Sequence, residues 1–360
     1  MTKKIKSKFY VRPFGFVEKE HGHLLSKKNQ AIKINDNFFT SVELIEKVDT
    51  ITKSKLLNIR EFLRQIDENK EISDIANPLF IEQKNILNNK KIFKKTRKHL
   101  IFSILNITPD SFSDGGENLI LKNNFLTALK MKADGADIID IGGESTRPGA
   151  KKITPTNELL RILPTIQLLD QKKVNLSLDT RNSSTMEIGI MSGVKIINDV
   201  SALTNDKDSV NIIKKYQVPL ILMHMPGNPK TMMKKNNYKN VVLDVYDYLE
   251  SRINFCLKSG ISKENLIIDP GIGFGKNLEQ NVKLLKNLSI FHTLGCPIML
   301  GISRKRYISS ISKVCEPKDR LGGTISSTIQ ALFQGIQIHR VHDVHETKQA
   351  IDIFEKMNSK

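Results

Sequence analysis

Eight short apolar runs, each closing on a polar group and followed by a stretch of helical periodicity, predict an α/β chain folded as a (β/α)8 TIM barrel. Length is the second observation: 360 residues hold a barrel of about 250 and leave roughly 80 to 100 over, read as a small α+β N-terminal extension. The third is the position of the polar groups, because such a barrel gathers its active site at the carboxyl ends of its strands. A doubly wound open sheet shows the same alternation and is the competing architecture.

Residues 1–85 form the extension. KFYVRPFGFV and QAIKI read as strands, His21 to His23 falls in a turn, and Ser41 to Gln65 carries apolar residues at helical spacing with Ser41 as its cap. His21 and His23 lack a third ligand and are not expected to hold a metal. The barrel occupies residues 86–360, and ILNNKKIFKKTRKHLIF reads as a hairpin leading into its first strand.

The barrel strands are IFSILN ending at Asn106, DIIDIGGE around Asp140 to Glu144, VNLSLD ending at Asp179 and VKIIND ending at Asn198 and Asp199. VPLILMHM around His224, LIID ending at Asp269, CPIMLGISRK leading to Lys305 and IQIHRVHD leading to Arg340 and His342 complete the eight. Amphipathic stretches such as Asn123 to Ala133, Asn157 to Leu169, Val241 to Lys258 and Thr324 to Phe333 lie between them.

The stretch Asn265 to Asn277, NLIIDPGIGFGKN, is the most informative. Leu266 to Ile268 suit a strand covered on both faces, which delivers Asp269, and Gly271, Gly273 and Gly275 let the next loop approach a ligand. GIGFGK is not a nucleotide loop. Pro270 stands where a Walker A glycine is needed, Asn277 where a hydroxyl is needed, and the third glycine of a dinucleotide fingerprint is missing.

Composition narrows the function classes. No apolar run approaches the roughly 18 residues of a membrane span, and MTKKIKSKFY leads into VRPFGFVEKEHG without a signal-peptide core, so a soluble protein is expected. Cys256, Cys296 and Cys315 are scattered without a C-x-x-C pair; they suit a reducing cytoplasm and carry no assigned chemistry. A formal charge of +18 raises nucleic acid as a partner, but the charge is mostly dispersed lysine. The densest run, Lys90 to Lys98, interleaves only Phe93 and reads as a solvated face, so no nucleic-acid partner is expected. A basic field does favour a small phosphorylated substrate.

Two loops carry a family resemblance. ILNITPDSFSDGG and GADIIDIGGESTRPGA match dihydropteroate synthase almost letter for letter, and LDTRN, INDVSA, LMHMPGNPKTM, DPGIGFGK, GISRK and RVHDV follow in that family's order. The resemblance covers about Ile86 to Lys360. It implies an alkyl-group transferase that joins 4-aminobenzoate to 6-hydroxymethyl-7,8-dihydropterin diphosphate in folate synthesis, giving 7,8-dihydropteroate and diphosphate. It also implies a cytoplasmic enzyme, Mg²⁺ as cofactor and a homodimer formed through the last helices.

The residues can be checked against that chemistry. A pterin offers a 2-amino group and a ring N–H as donors, which Asp179 and Asp269 meet as ionised carboxylates. Asn198 pairs with the remaining ring nitrogens, and Lys305 donates to the carbonyl side. By the resemblance, Asn106 ligates Mg²⁺ beside the diphosphate, and Arg340 with His342 holds the same phosphates, Arg340 also stacking on the pterin face. The first two loops supply Asp114 and Arg147 as charges, Phe112 and Pro148 as apolar walls for aminobenzoate, and Thr146 on the diphosphate side. Ser303 lies near the aminobenzoate carboxylate, and His224 is structural.

Two departures stand out. Pro226 replaces a usual polar residue in MHMQG, and the extension is too short for the fused pyrophosphokinase of some relatives and lacks its acidic metal motif. Two rival readings remain: a pterin-binding methyltransferase domain, which has no use for STRPG, SRK and RVHD, and a non-catalytic pterin-binding scaffold, which would bind pterin without turnover.

Overall fold

The computed structural model describes residues 7–81, 89, 92–93, 98–107, 117–145, 149, 152–234 and 236–358. The extension opens with β1 (Ser7–Val17), helix α1 (Lys19–Ser26), β2 (Ile32–Ile34), β3 (Asn37–Val48) and β4 (Ile51–Asn58). Their antiparallel sheet has β3 in the middle, with β1 on one side and β2 and β4 on the other. Helices α2 (Ile59–Glu68) and α3 (Lys70–Ala76) cover it through Phe39, Val42, Leu57, Phe62 and Ile72.

Two expectations for this region are corrected. The helix read over Ser41 to Gln65 is instead most of β3, all of β4 and, only from Ile59 on, the first two turns of α2. Asp49 turns the chain in the left-handed region at φ 52°, making a hairpin of what resembled one helical face. The true cap is Asn58, which accepts from the Glu61 N–H at 3.0 Å while Glu61 accepts from the Asn58 N–H. His21 and His23 lie in α1 rather than a turn; His21 pairs with Glu18 and His23 sits edge-on to Phe38. The boundary drawn between residues 85 and 86, and most of the hairpin read before the first barrel strand, lie outside the described residues.

The barrel follows as β5 (Leu100–Asn106), α4 (Glu117–Ala133), β6 (Ile138–Gly142), α5 (Pro155–Gln171), β7 (Leu176–Asp179), α6 (Ser183–Met191), β8 (Ile196–Asp199) and α7 (Ser209–Tyr216). It continues with β9 (Leu220–Met223), α8 (Val241–Lys258), β10 (Leu266–Asp269), α9 (Leu278–Lys286), β11 (Met299–Leu300), α10 (Arg306–Ser312), α11 (Leu321–Phe333), β12 (Ile338–Val341) and α12 (Val344–Met357). Strands β5 to β10 pair in sequence, β12 pairs β5 and β11, and one parallel bridge from Ile268 to Ile298 joins the ends of the ring. The eight predicted strands are therefore the eight barrel strands.

Register decides what the interior holds. Leu100, Phe102, Ile138, Ile196, Ile221, Ile267, Met299 and Ile338 form an apolar cluster drawn from strands alone, so it fills the barrel, and Ile92 and Phe93 join it from the segment before β5. Two residues further along the same strand faces, the inward positions become Asp140, Asn198, Asp269 and Arg340. The lower barrel is thus an apolar plug and the upper barrel a polar bowl.

The extension is bonded to the barrel rather than tethered to it. Tyr10 is fully buried, its ring edge-on to Tyr246 at 5.3 Å and its hydroxyl donating to Asp247 at 2.9 Å. Ser289 donates to the Pro13 carbonyl at 2.6 Å, and Asn37 Nδ2 donates to the Leu332 carbonyl at 2.6 Å at the end of α11. Asn37→Ala removes that bond, leaving the Leu332 carbonyl with the Gly335 N–H at 2.9 Å, and is expected to cost about 0.5–1.5 kcal/mol. Chemical denaturation checks this; extension and barrel should unfold in one transition, with the midpoint lowered in the variant.

Candidate functional site

The site is built on alternation along parallel strands. Asn106 pairs with Gly142, Gly142 with Asp179, and Asp179 with Asn198, so these residues share one inward rim. Gly142 keeps the rim open: a Cβ there would sit 3.5 Å from Asn106 Oδ1 and 3.6 Å from Asp179 Cβ. A cavity of about 740 Å³ opens above, lined among others by Asn106, Asp179, Ser303, Lys305, Arg340 and His342. Asn198 and Asp269, 2% and 4% exposed, are not among its lining residues although both are inward-facing on the adjoining strands.

Arg340 organises the carboxylates. Its Nε donates to Asp140 Oδ2 at 2.6 Å and its Nη2 to Asp179 Oδ2 at 2.8 Å. Asn198 Nδ2 adds a bond to Asp140 Oδ2 at 3.0 Å. Two of the three guanidinium nitrogens are therefore committed to buried acids, and Nη1 makes no hydrogen bond among the described residues. This differs in emphasis from the phosphate role that the sequence resemblance implies, because two buried carboxylates need a counterion before any ligand arrives. Asp179 Oδ1 and Asn198 Oδ1 are buried without a partner among the described residues and so remain as acceptors.

Asp140 is an inward-facing carboxylate that sequence reading left without a role. It stands inside the DIIDIGGE strand, two positions before Gly142 and on the same face, and is fully buried. Counting by two from Gly142 would have aimed it inward; nothing in the letters alone shows that Arg340 needs it.

Asp269 ends β10 and accepts from the Gly271 N–H at 2.7 Å. Gly271 holds φ +69°, and a Cβ on it would fall 2.0 Å from the His224 carbonyl, so only glycine fits this close turn. Lys305, at the end of the β11 loop, donates to the Ile272 carbonyl, and its Nζ lies 4.3 Å from the centre of the Phe274 ring. Ser303 Oγ accepts from the His342 N–H at 3.2 Å and contacts His342 Nδ1 at 3.0 Å, fastening the loops after the last two strands to each other. Among the sequence-predicted residues, Phe112, Asp114, Thr146, Arg147 and Pro148 lie outside the described residues.

Burial sets the charges. It pushes the Asp179 carboxyl up to about 7, against the pull of Arg340, and raises Asp269 as well, opposed by Lys305. It lowers Lys305 to about 8, with Asp269 holding it up. Near neutral pH Asp179 is therefore close to its midpoint and Lys305 is mostly charged. Arg304, Arg306 and Arg320 also line the cavity, giving it a cationic rim above a carboxylate floor, an arrangement that suits a ligand with donors at one end and negative charge at the other.

Because the folded-state value of Asp179 lies above its unfolded value of 3.8, the stability it lends is full below that value and is lost as pH rises through about 7. Asp179→Asn removes that loss and leaves Arg340 paired with Asp140, so the variant is expected to stay folded at neutral pH. It also removes a charged acceptor worth about 1.5–3 kcal/mol, so affinity for a dihydropterin should drop roughly ten- to a hundredfold. Calorimetric titration beside a denaturation curve checks both; unchanged affinity in a folded variant would remove Asp179 from the binding site.

Residues 102–342 match the family described as pterin binding enzyme. Dihydropteroate synthase of Escherichia coli K12 is 41% identical over 256 residues, covering 71% of this chain and 90% of that protein. The Bacillus subtilis 168 synthase is 35% identical over 282 residues, covering 78% and 96%. Among solved structures, Xanthomonas albilineans dihydropteroate synthase with 4-aminobenzoic acid superposes with a TM-score of 0.69 at 37% identity, over 73% of this chain and 94% of that one. The same organism's enzyme with 7,8-dihydropteroate gives 0.66 at 35% identity, over 73% and 94%. With its barrel superposing on theirs and most of its length matched at this identity, the chain belongs to the dihydropteroate synthase family.

Proposed function

We infer that this chain condenses 6-hydroxymethyl-7,8-dihydropterin diphosphate with 4-aminobenzoate, giving 7,8-dihydropteroate and diphosphate for folate synthesis. The observation that carries the reading is one cavity with a buried acceptor floor at Asp179, paired with Arg340, and a cationic rim at Arg304, Lys305, Arg306 and Arg320. A pterin edge rich in donors suits the floor, and an anionic leaving group suits the rim.

Chemistry follows from that division. The C–O bond at the pterin methylene breaks, its electron pair leaves with the diphosphate, and the positive charge left on the methylene spreads into the pterin ring. Asp179 and Asp269, ionised, stabilise that cation in a low-dielectric site. The aminobenzoate nitrogen then forms the new C–N bond and gives up a proton to solvent. No covalent enzyme nucleophile is needed. Lys305 donates to the pterin carbonyl side, Ser303 stands for the aminobenzoate carboxylate, and the loop residues Phe112, Asp114, Thr146, Arg147 and Pro148 complete the reading as proposed contacts.

Asn106 fits a Mg²⁺ site. It ends β5 with a hard amide oxygen facing the cavity beside Gly142, and no group of three or more His, Cys, Asp or Glu that could hold a metal occurs among the described residues. An ion there would be held by Asn106 with substrate phosphate and water, as Mg²⁺ prefers. When bound, it would neutralise charge on the departing diphosphate. A homodimer through the last helices belongs to the same reading, as does a cytoplasmic setting, which suits free Cys256, Cys296 and Cys315. No helix among the described residues is long and apolar enough to cross a membrane.

Diphosphate release by the purified full-length chain tests the reading. Release is expected only when dihydropterin diphosphate, Mg²⁺ and 4-aminobenzoate are all present, and Asn106→Ala should require more Mg²⁺ for half-maximal rate. Pterin binding without release would favour a binding protein, and an unaltered magnesium titration would remove Asn106 as a ligand.

A further inference from the structure

Lys276 is 3% exposed, sits at the edge of the cavity and takes no part in the chemistry above. An ammonium has three hydrogens and no acceptor capacity. Three close acceptors stand around Nζ, the Gly271 carbonyl at 2.8 Å, His224 Nδ1 at 2.9 Å and the Phe274 carbonyl at 3.0 Å, with the His224 carbonyl as a longer fourth at 3.4 Å. Burial pulls the Lys276 amine well below its ordinary pKa while Asp269 holds it up, and burial likewise favours a neutral His224, whose Nδ1 accepts from the amine when the imidazole proton is on Nε2. His224 begins the loop after β9, and its own N–H donates to the Asp269 carbonyl at 2.9 Å. One amine thus ties the end of β9 to the glycine loop after β10.

The loop wraps Lys276 with one set of groups and faces the site with another. The Gly271 and Phe274 carbonyls turn to the amine, whereas the Gly271 N–H holds Asp269, the Ile272 carbonyl receives Lys305 and the Phe274 ring lies under the Lys305 ammonium. Asn281 fixes the same loop from α9, accepting from the Gly273 N–H at 2.7 Å and donating to the Lys276 carbonyl at 3.0 Å. Gly273 leaves room for Lys305, since a Cβ there would come within 2.8 Å of its Cδ.

We propose that Lys276, with His224 as its acceptor, is a positioning residue for pterin binding: its amine gathers the Gly271 to Phe274 loop so that Asp269, Lys305 and Phe274 stand where the pterin meets them. It touches no reacting atom in this assignment. The superficial likeness of GIGFGK to a phosphate loop therefore has a different physical content, because the lysine turns back into its own loop instead of out toward phosphate.

The proposal rests on the reaction inferred above, and its test separates the two. In the full-length protein, Lys276→Met is expected to raise the KM for dihydropterin diphosphate and the Kd for dihydropterin roughly ten- to a hundredfold, the range for groups that orient binding residues. The aminobenzoate KM should stay unchanged. Nitrogen NMR of the wild type should show His224 unprotonated at Nδ1, and this single tautomer should be lost in the variant. If Lys276→Met does not fold, His224→Phe, which removes the acceptor and keeps the amine, should raise the same two constants. Unchanged pterin constants in a folded variant, or an equal rise in both KM values, would overturn the positioning role. A wild type that binds dihydropterin without turnover would overturn the reaction and leave the Kd comparison to decide on Lys276.

Discussion

Burying three carboxylates at one end of a barrel is the constraint on which the site depends. Asp140, Asp179 and Asp269 are each under 10% exposed, and an isolated buried carboxylate costs several kcal/mol. Arg340 meets that cost for two of them with one guanidinium, and a backbone N–H with nearby Lys305 meets it for the third. The compensation is incomplete, since Asp140 Oδ1, Asp179 Oδ1 and Asn198 Oδ1 keep no partner among the described residues. A site held in that state is ready for a ligand that brings donors, and a pterin edge does so.

The rest of the fold serves to hold this arrangement still. The apolar plug of Phe102, Ile196, Ile221 and Ile338 below the acids leaves the strands no freedom to slip, because a one-residue shift would turn every acid outward. The extension reinforces the barrel from outside. Tyr10 belongs to the same apolar cluster as the barrel helices, while Asn37 and Ser289 join the extension to the end of α11 and to the segment before β11. Lys8 and Lys47 add ion pairs to Asp247 on α8. The structural role of the extension is thus visible as a buried joint, although its letters match none of the family motifs.

What was legible in the sequence follows from period and punctuation. Each barrel strand is a short apolar run with a polar end, and a covered parallel strand cannot look otherwise, so all eight were readable. Helix α8 was readable from its apolar spacing over the very residues that form it, Val241–Lys258. Ser41 to Gln65 misled because a half-exposed hairpin with Val42, Leu44 and Leu57 inward offers scattered apolar residues that also fit a helical wheel. The Asn58 and Glu61 capping pair was the signal that would have moved the start of α2. Around the cavity, the polar residues at strand ends were legible as inward-facing, whereas the contacts of Asp140 and Lys276 were not. Their roles lie in partners far along the chain, Arg340 for one and His224 for the other, and no local pattern encodes such a meeting.

The central claim is that a carboxylate held near its midpoint by burial, Asp179, receives the pterin in its ionised form. Proton counting measures it most directly: calorimetric titration of the full-length protein with dihydropterin at pH 7, in buffers of differing ionisation enthalpy. With burial raising Asp179 to about 7, binding should release a fraction of a proton per pterin, and Asp179→Asn should abolish the release. Binding with no proton released, or the same release in the variant, would contradict the account.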